Sequence, residues 1–236
     1  MKIQILYENN EVIVVNKPAG LLTHNDGKDK NKTLTDWALE RYPKIKNVGE
    51  PSRYRGNEIA RHGIAHRLDR ETSGVIVLAK TQESFLNLKK QFQERKITKI
   101  YNAFVYGEIK KEKDIINRPI GKSKSDFRKW SAQRGARGDL REAITYYKVL
   151  KKNKDFSYVE VSPKTGRTHQ IRVHFKAINH PVVCDKLYAP KHICGLGFER
   201  LALHAKSLEF SLINGEVIFA ESELPKDFKY ALTLLT

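Results

Sequence analysis

The run Val75-Ile76-Val77-Leu78 limits the possible folds of this chain more than any other stretch. It is too short for a buried helix and too apolar for a sheet edge, so it predicts a central strand covered on both faces. The residues leading into it read His66-Arg67-Leu68-Asp69-Arg70-Glu71-Thr72-Ser73-Gly74. Asp69 therefore lies between two arginines on a loop braced by the core, the setting in which a rigid scaffold can hold a reactive carboxylate in one geometry. The plainer alternative is an aspartate that forms the turn. A protein-kinase catalytic loop is excluded, because the order is not His-Arg-Asp and no Gly-rich phosphate loop accompanies it.

The 236 residues, 40% of them hydrophobic, suit one large domain or two small lobes sharing a core. No apolar run approaches the roughly 20 residues of a membrane helix, and the first ten residues lack the apolar stretch of a signal peptide. A cytoplasmic protein is expected. Lys and Arg outnumber Asp and Glu by 44 to 27, a net charge of +17. That surplus calls for a polyanionic partner, of which nucleic acid is the commonest. No basic amphipathic helix suggests a membrane surface instead. Two cysteines, Cys184 and Cys194, are too few for a disulfide framework, so free thiols are expected. His180 and His192 lie nearby, but their spacing with the cysteines is not a usual zinc pattern, and no metal is expected.

Residues 3 to 15 alternate around Glu8-Asn9-Asn10, predicting two strands and a turn. Thr33 is placed to cap a helix that Pro43 stops. A polar surface loop is expected from there to Arg61. Phe85, Leu88 and Phe92 are spaced for a core-facing helix, and Lys99 to Gly107 alternate as a strand. Arg118 to Gly138 hold seven Lys or Arg with Phe127 and Trp130, and read as a mobile basic loop. Interleaved aromatics there could stack on unpaired bases. Strands are expected at 143–150 and 158–162, a helix opened by Thr168 with Ile171, Phe175 and Ile178 as its buried stripe, strands near 201–212 and 217–220, and a C-terminal helical segment. Hairpins mixed with helices, without βαβ alternation, indicate an α+β fold.

Four segments, Asn16 to His24, His66 to Lys80, Lys99 to Gly107 and Pro163 to Tyr188, together resemble the RluA-like pseudouridine synthases. The similarity runs in order along nearly the whole chain. It implies that family's fold, a mixed, largely antiparallel central sheet with flanking helices, and isomerisation of uridine in ribosomal or transfer RNA without metal or organic cofactor. It also implies a single catalytic domain over 1–236. The pattern begins almost at residue 3, so the S4-like RNA-binding module that many relatives carry ahead of it is not expected. Cys184 stands where the family often has glycine, and Asn25 where proline is common.

By that resemblance Asp69 is the catalytic aspartate, Tyr101 the tyrosine that stacks near the base, and Arg172 the arginine that pairs with the aspartate. Arg67 would fill the space vacated by the flipped nucleotide. These residue types suit the chemistry. Burial can raise a carboxyl pKa by roughly 3 to 5 units, and an adjacent Arg can lower it by about 1 to 3, keeping Asp69 charged in a pocket dry enough for uracil. Lys17, Arg167, His169 and Gln170 are candidates for RNA contacts, with His66 and Thr72 beside Asp69 as further substrate-binding candidates. For His169, helix-end capping is the competing role. A non-catalytic RNA-binding or ribosome-assembly protein on the same fold, and a ribonuclease using Asp and His, are the alternatives. Nothing demands a protein partner, and a monomer is expected.

Overall fold

The structure, a computed structural model, describes residues 2–25, 31–54, 57–59, 62–132 and 136–235. Strands β1 (Gln4–Glu8) and β2 (Val12–Lys17) lead to helix α1 (Leu34–Arg41), a 3-10 turn (Pro43–Asn47), short strands β3 (Ser52–Tyr54) and β4 (Asn57–Ile59), then β5 (Ser73–Ala79) and helix α2 (Gln82–Gln93). Strands β6 (Thr98–Tyr106), β7 (Lys113–Asn117), β8 (Ile120–Ser123), β9 (Trp130–Ser131), β10 (Ala136–Arg141), β11 (Ile144–Lys152) and β12 (Phe156–Pro163) follow. Helix α3 (Gln170–Ala177), strands β13 (Leu203–Ser211) and β14 (Val217–Glu221), and helix α4 (Lys226–Leu234) complete the chain. This is the expected α+β class. No helix among the described residues is long and apolar enough to cross a membrane.

Met1–Thr98 with Ala205–Ser222 form one compact unit, and Lys99–His204 with Glu223–Thr236 form a second. In the first, the strand order is β1-β2-β5-β13, with β14 beside β13. The Asn9 side chain makes the predicted first turn by accepting from the Glu11 and Val12 amides. All seven residues of β5 are buried, as its composition requires. Gly74 makes this possible, since a Cβ there would lie 2.1 Å from the Ala205 carbonyl oxygen and its φ is +112°. Helix α1 starts with the predicted Thr33 cap, reciprocated by Asp36. Helix α2 buries Phe85 and Leu88. The expected loop before Arg61 contains instead the antiparallel pair β3 and β4, whose three-residue strands are too short to imprint an alternating pattern.

The second unit is built on the antiparallel order β6-β12-β11-β7. Phe104, Phe198 and Phe228 meet at its centre, with ring centroids 5.1–5.5 Å apart. Three sequence expectations are corrected here. The basic stretch is no structureless loop: β10, β8 and β9 form a three-stranded sheet, with Lys122 over the Trp130 ring at 5.1 Å. The cysteines are not free thiols, because Cys184 and Cys194 are joined in a disulfide. Their ten-residue separation lets one loop bring the Cα atoms to 4.6 Å. Cys184 has φ +58°, which accounts for glycine being common there in the resembling family. Finally, α3 begins after His169, not Thr168, and His169 itself adopts the left-handed conformation.

Helix α3 is buried well beyond its apolar stripe, because its polar residues bring partners with them. The Gln170 amide donates to the Thr145 hydroxyl, Thr145 is bonded to His174 Nδ1, and His174 Nε2 reaches the Arg118 carbonyl at 2.9 Å. Burial pushes the His174 pKa below 6.5, so the ring is held neutral. A lowered folded-state pKa means that the unfolded chain binds the proton more tightly, so this contribution to stability is present above pH 6.5 and is lost on acidification. His174→Gln is expected to lower stability at pH 7 and to flatten its decline between pH 7 and 5. Urea unfolding at both values tests this, and an unchanged decline would refute it.

Candidate active site

The loop carrying Asp69 is fixed through the main chain on both sides of the aspartate. Ahead of it, the Thr23 hydroxyl donates to the Leu68 carbonyl at 2.9 Å and accepts from the Leu68 amide. Behind it, the Arg70 carbonyl accepts from Lys17 Nζ at 3.1 Å and from the Gly20 amide at 2.9 Å. The Thr72 amide closes the turn onto the Asp69 carbonyl. Leu68 is buried, Asp69 half-buried and Arg67 exposed. A carboxylate whose neighbours are held this firmly suits nucleophilic or base chemistry, which depends on positioning.

Lys17 is thereby corrected from its expected place against RNA phosphate. Its side chain is fully buried, and the ammonium donates to the carbonyls of Pro18, Leu21 and Arg70. Three carbonyl acceptors match the three donors of an ammonium, which is how a buried lysine is tolerated. Its role is to pin the Pro18–Leu21 loop to the residue after Asp69. His66 also faces inward: Nε2 accepts from the Val77 amide, and the ring stacks on Phe92 at 4.6 Å. Thr72 is 2% exposed, beneath the turn.

The remaining candidates belong to the second unit. Tyr101 is half-buried on β6, paired with Val161 of β12. Lys99, two residues earlier on the same strand face, donates to the Thr165 carbonyl, and burial together with Lys164 pushes its pKa down to about 8. Gln170 is corrected from substrate contact to loop support. Its carbonyl accepts from Thr165 Oγ1 and the Arg167 amide, and its amide donates to the Ile144 carbonyl and Thr145 Oγ1. Arg167 remains half-exposed while its Nε donates to the Glu142 carbonyl.

Arg172 has a partner that the sequence did not disclose. Its Nε and one terminal nitrogen donate to the two oxygens of Asp185, both at 2.8 Å. Asp185 is fully buried at its side chain and also accepts from the Leu187 and Tyr188 amides. The pair uses two of the five N–H groups of a guanidinium and leaves the fork's plane fixed. The Tyr188 ring lies against that plane, with the guanidinium carbon 5.0 Å from its centroid. Tyr188 Oη bonds His169 Nδ1 at 2.9 Å, so His169 serves this cluster without capping the helix through its side chain. Asp185 and Tyr188 lie inside the resembling segment, yet only the fold reveals their work. Among the described residues no three His, Cys, Asp or Glu are gathered as metal ligands.

The family model for RNA pseudouridylate synthase matches residues 11–177, a span that includes Asp69, Tyr101 and Arg172. The chain belongs to that family. It is 35% identical to an uncharacterized RNA pseudouridine synthase of Synechocystis over 99% of its own length and 69% of that protein's. It is 37% identical to ribosomal large subunit pseudouridine synthase D of Neisseria meningitidis, covering all of this chain and 62% of the relative. A solved structure of human RNA pseudouridylate synthase domain containing 4 superposes with a TM-score of 0.75 at 25% identity, over 98% of this chain and 92% of that one. The family resemblance read from the four segments and the fold class both stand.

Proposed function

We propose that this protein isomerises uridine to pseudouridine in large-subunit ribosomal RNA, with Asp69 as the essential carboxylate. The observation that carries the reading is the Asp69 loop, clamped through Leu68 and Arg70 within the span that matches the family. The relatives named for the large ribosomal subunit favour that RNA over transfer RNA. In the reaction the N1–C1′ bond breaks, the uracil turns and C5 bonds to C1′, while C5 loses a proton and N1 gains one. No atoms are gained or lost overall. Arg172 is assigned to Asp69 as its charged partner, Tyr101 to the face of the base and Arg67 to the vacated stack, where flipping a nucleotide costs a few kcal/mol. Arg167 and His169 are assigned to RNA. The whole reading places the protein with ribosomes in the cytoplasm.

The test uses a large-subunit RNA transcript labelled with tritium at C5 of uridine. Tritium release with unchanged chain length supports the isomerase. Shortened RNA would indicate a nuclease, and retention of label with tight binding a ribosome-assembly factor.

The β8–β10 sheet is assigned to phosphate binding, which yields a graded expectation. Arg128 forms a two-pronged pair with Asp126, and Lys129 lies 3.5 Å from the same carboxylate. Ala substitution of Lys122, Lys124, Arg128 and Lys129 should weaken RNA binding and flatten its salt dependence, by roughly 0.7 to 0.9 in log-log slope for each phosphate that is no longer neutralised. The Lys122 and Lys124 changes should account for most of it, because Asp126 already occupies the other two. The rate on saturating RNA should change little, since such interactions act equally on ground and transition states. An unchanged salt slope would exclude these side chains from the RNA interface.

A further inference from the structure

Tyr188 joins three parts of the second unit that are far apart in sequence. It is 3% exposed and packs with Ile120, Ala143 and Val173, against which Trp130 and Leu187 are also laid. Its hydroxyl accepts from the Trp130 amide of β9 at 3.0 Å and is bonded to His169 Nδ1 at 2.9 Å, at the start of α3. Its ring covers the Arg172 guanidinium, and its own amide donates to Asp185, which grips that guanidinium edge-on. One oxygen and one ring thus connect the basic sheet, the residue just ahead of α3 and the arginine.

We propose that Tyr188 is a positioning residue that couples the β8–β10 sheet to Arg172, because its hydroxyl holds the Trp130 backbone and His169 while its ring holds the guanidinium. The proposal rests on the isomerase reading for its consequence in turnover, but not for the coupling itself. A phenol has one proton to donate and two lone pairs to accept with. Accepting from Trp130 and bonding His169 therefore commits the oxygen, and a shift of β9 must move the hydroxyl, the ring or both. The ring cannot move alone, being packed at interior density. Lys122 sits over the Trp130 ring at 5.1 Å, so the basic sheet and the Tyr188 hydroxyl meet at the same residue.

Tyr188→Phe removes the hydroxyl and keeps the buried ring over Arg172. With the labelled transcript, this variant should lose at least about tenfold in kcat, the scale on which small misplacements act. RNA affinity should stay within about twofold, since Oη is buried among protein groups. A purely packing role would leave kcat unchanged. The second arm needs neither RNA nor activity: amide hydrogen exchange at Trp130 is followed in the wild type, Arg172→Leu, Tyr188→Phe and the double variant. Arg172→Leu should speed Trp130 exchange about tenfold when Tyr188 is present and add nothing in the Tyr188→Phe background. Trp130 exchange indifferent to Arg172, or a Tyr188→Phe kcat within twofold of wild type, would overturn the proposal. If the wild type released no tritium, the isomerase reading would fall and the exchange arm alone would decide the coupling.

Discussion

Asp69→Asn is expected to abolish tritium release from C5-labelled RNA while leaving RNA affinity within about twofold. The substitution is nearly isosteric and removes the charge alone. Leu68 and Arg70 are held through their main chains by Thr23, Lys17 and Gly20, so the path of the loop is fixed on both sides of the aspartate. Loss of a positioned acid or base costs about 10²- to 10⁴-fold, and loss of a nucleophile costs no less. Filter binding measures affinity and tritium release measures turnover on the same preparation. Activity within tenfold of wild type would remove Asp69 from the chemistry. Lys17→Met offers a contrasting case: it should lower turnover through the loop and should also lower stability, because the Pro18, Leu21 and Arg70 carbonyls each lose a charged donor.

What the sequence disclosed, and what it withheld, follows from the range of the interactions involved. The β5 strand was legible because a doubly covered strand writes its burial into every residue. The α1 start was legible because Thr33 and Asp36 cap each other across three residues. Asp69 and Arg172 stood out through the segments around them, and the family match bears out that resemblance. The β8–β10 sheet was not legible, because β9 has two residues and β10 is exposed along almost its whole length, so neither carries an alternation. Lys17 read as a surface cation, since the Arg70 carbonyl it needs lies 53 residues away. Asp185 was invisible for the same reason: a buried carboxylate is recognised by the arginine it meets, and that arginine sits on another element.

On the proposed assignment Arg172 would have a second partner in Asp69, and its observed pair with Asp185 shows how to separate the two roles. Arg172→Leu leaves Asp185, whose side chain is fully buried, without its cation. Breaking a buried pair in this way costs about 3–5 kcal/mol. On the proposed assignment Asp69 also loses its cation, and its chemistry needs the ionised form, so the residual turnover should rise with pH. Lost stability thus reports on Asp185, and the pH dependence of the residual turnover reports on Asp69. Arg172→Leu combined with Asp185→Asn removes the orphaned charge and should recover most of the stability. It should not recover turnover, because Asp69 still lacks its partner. Recovery of turnover in the double variant would reduce Arg172 to a structural residue, and a residual rate flat with pH would break the proposed pairing with Asp69.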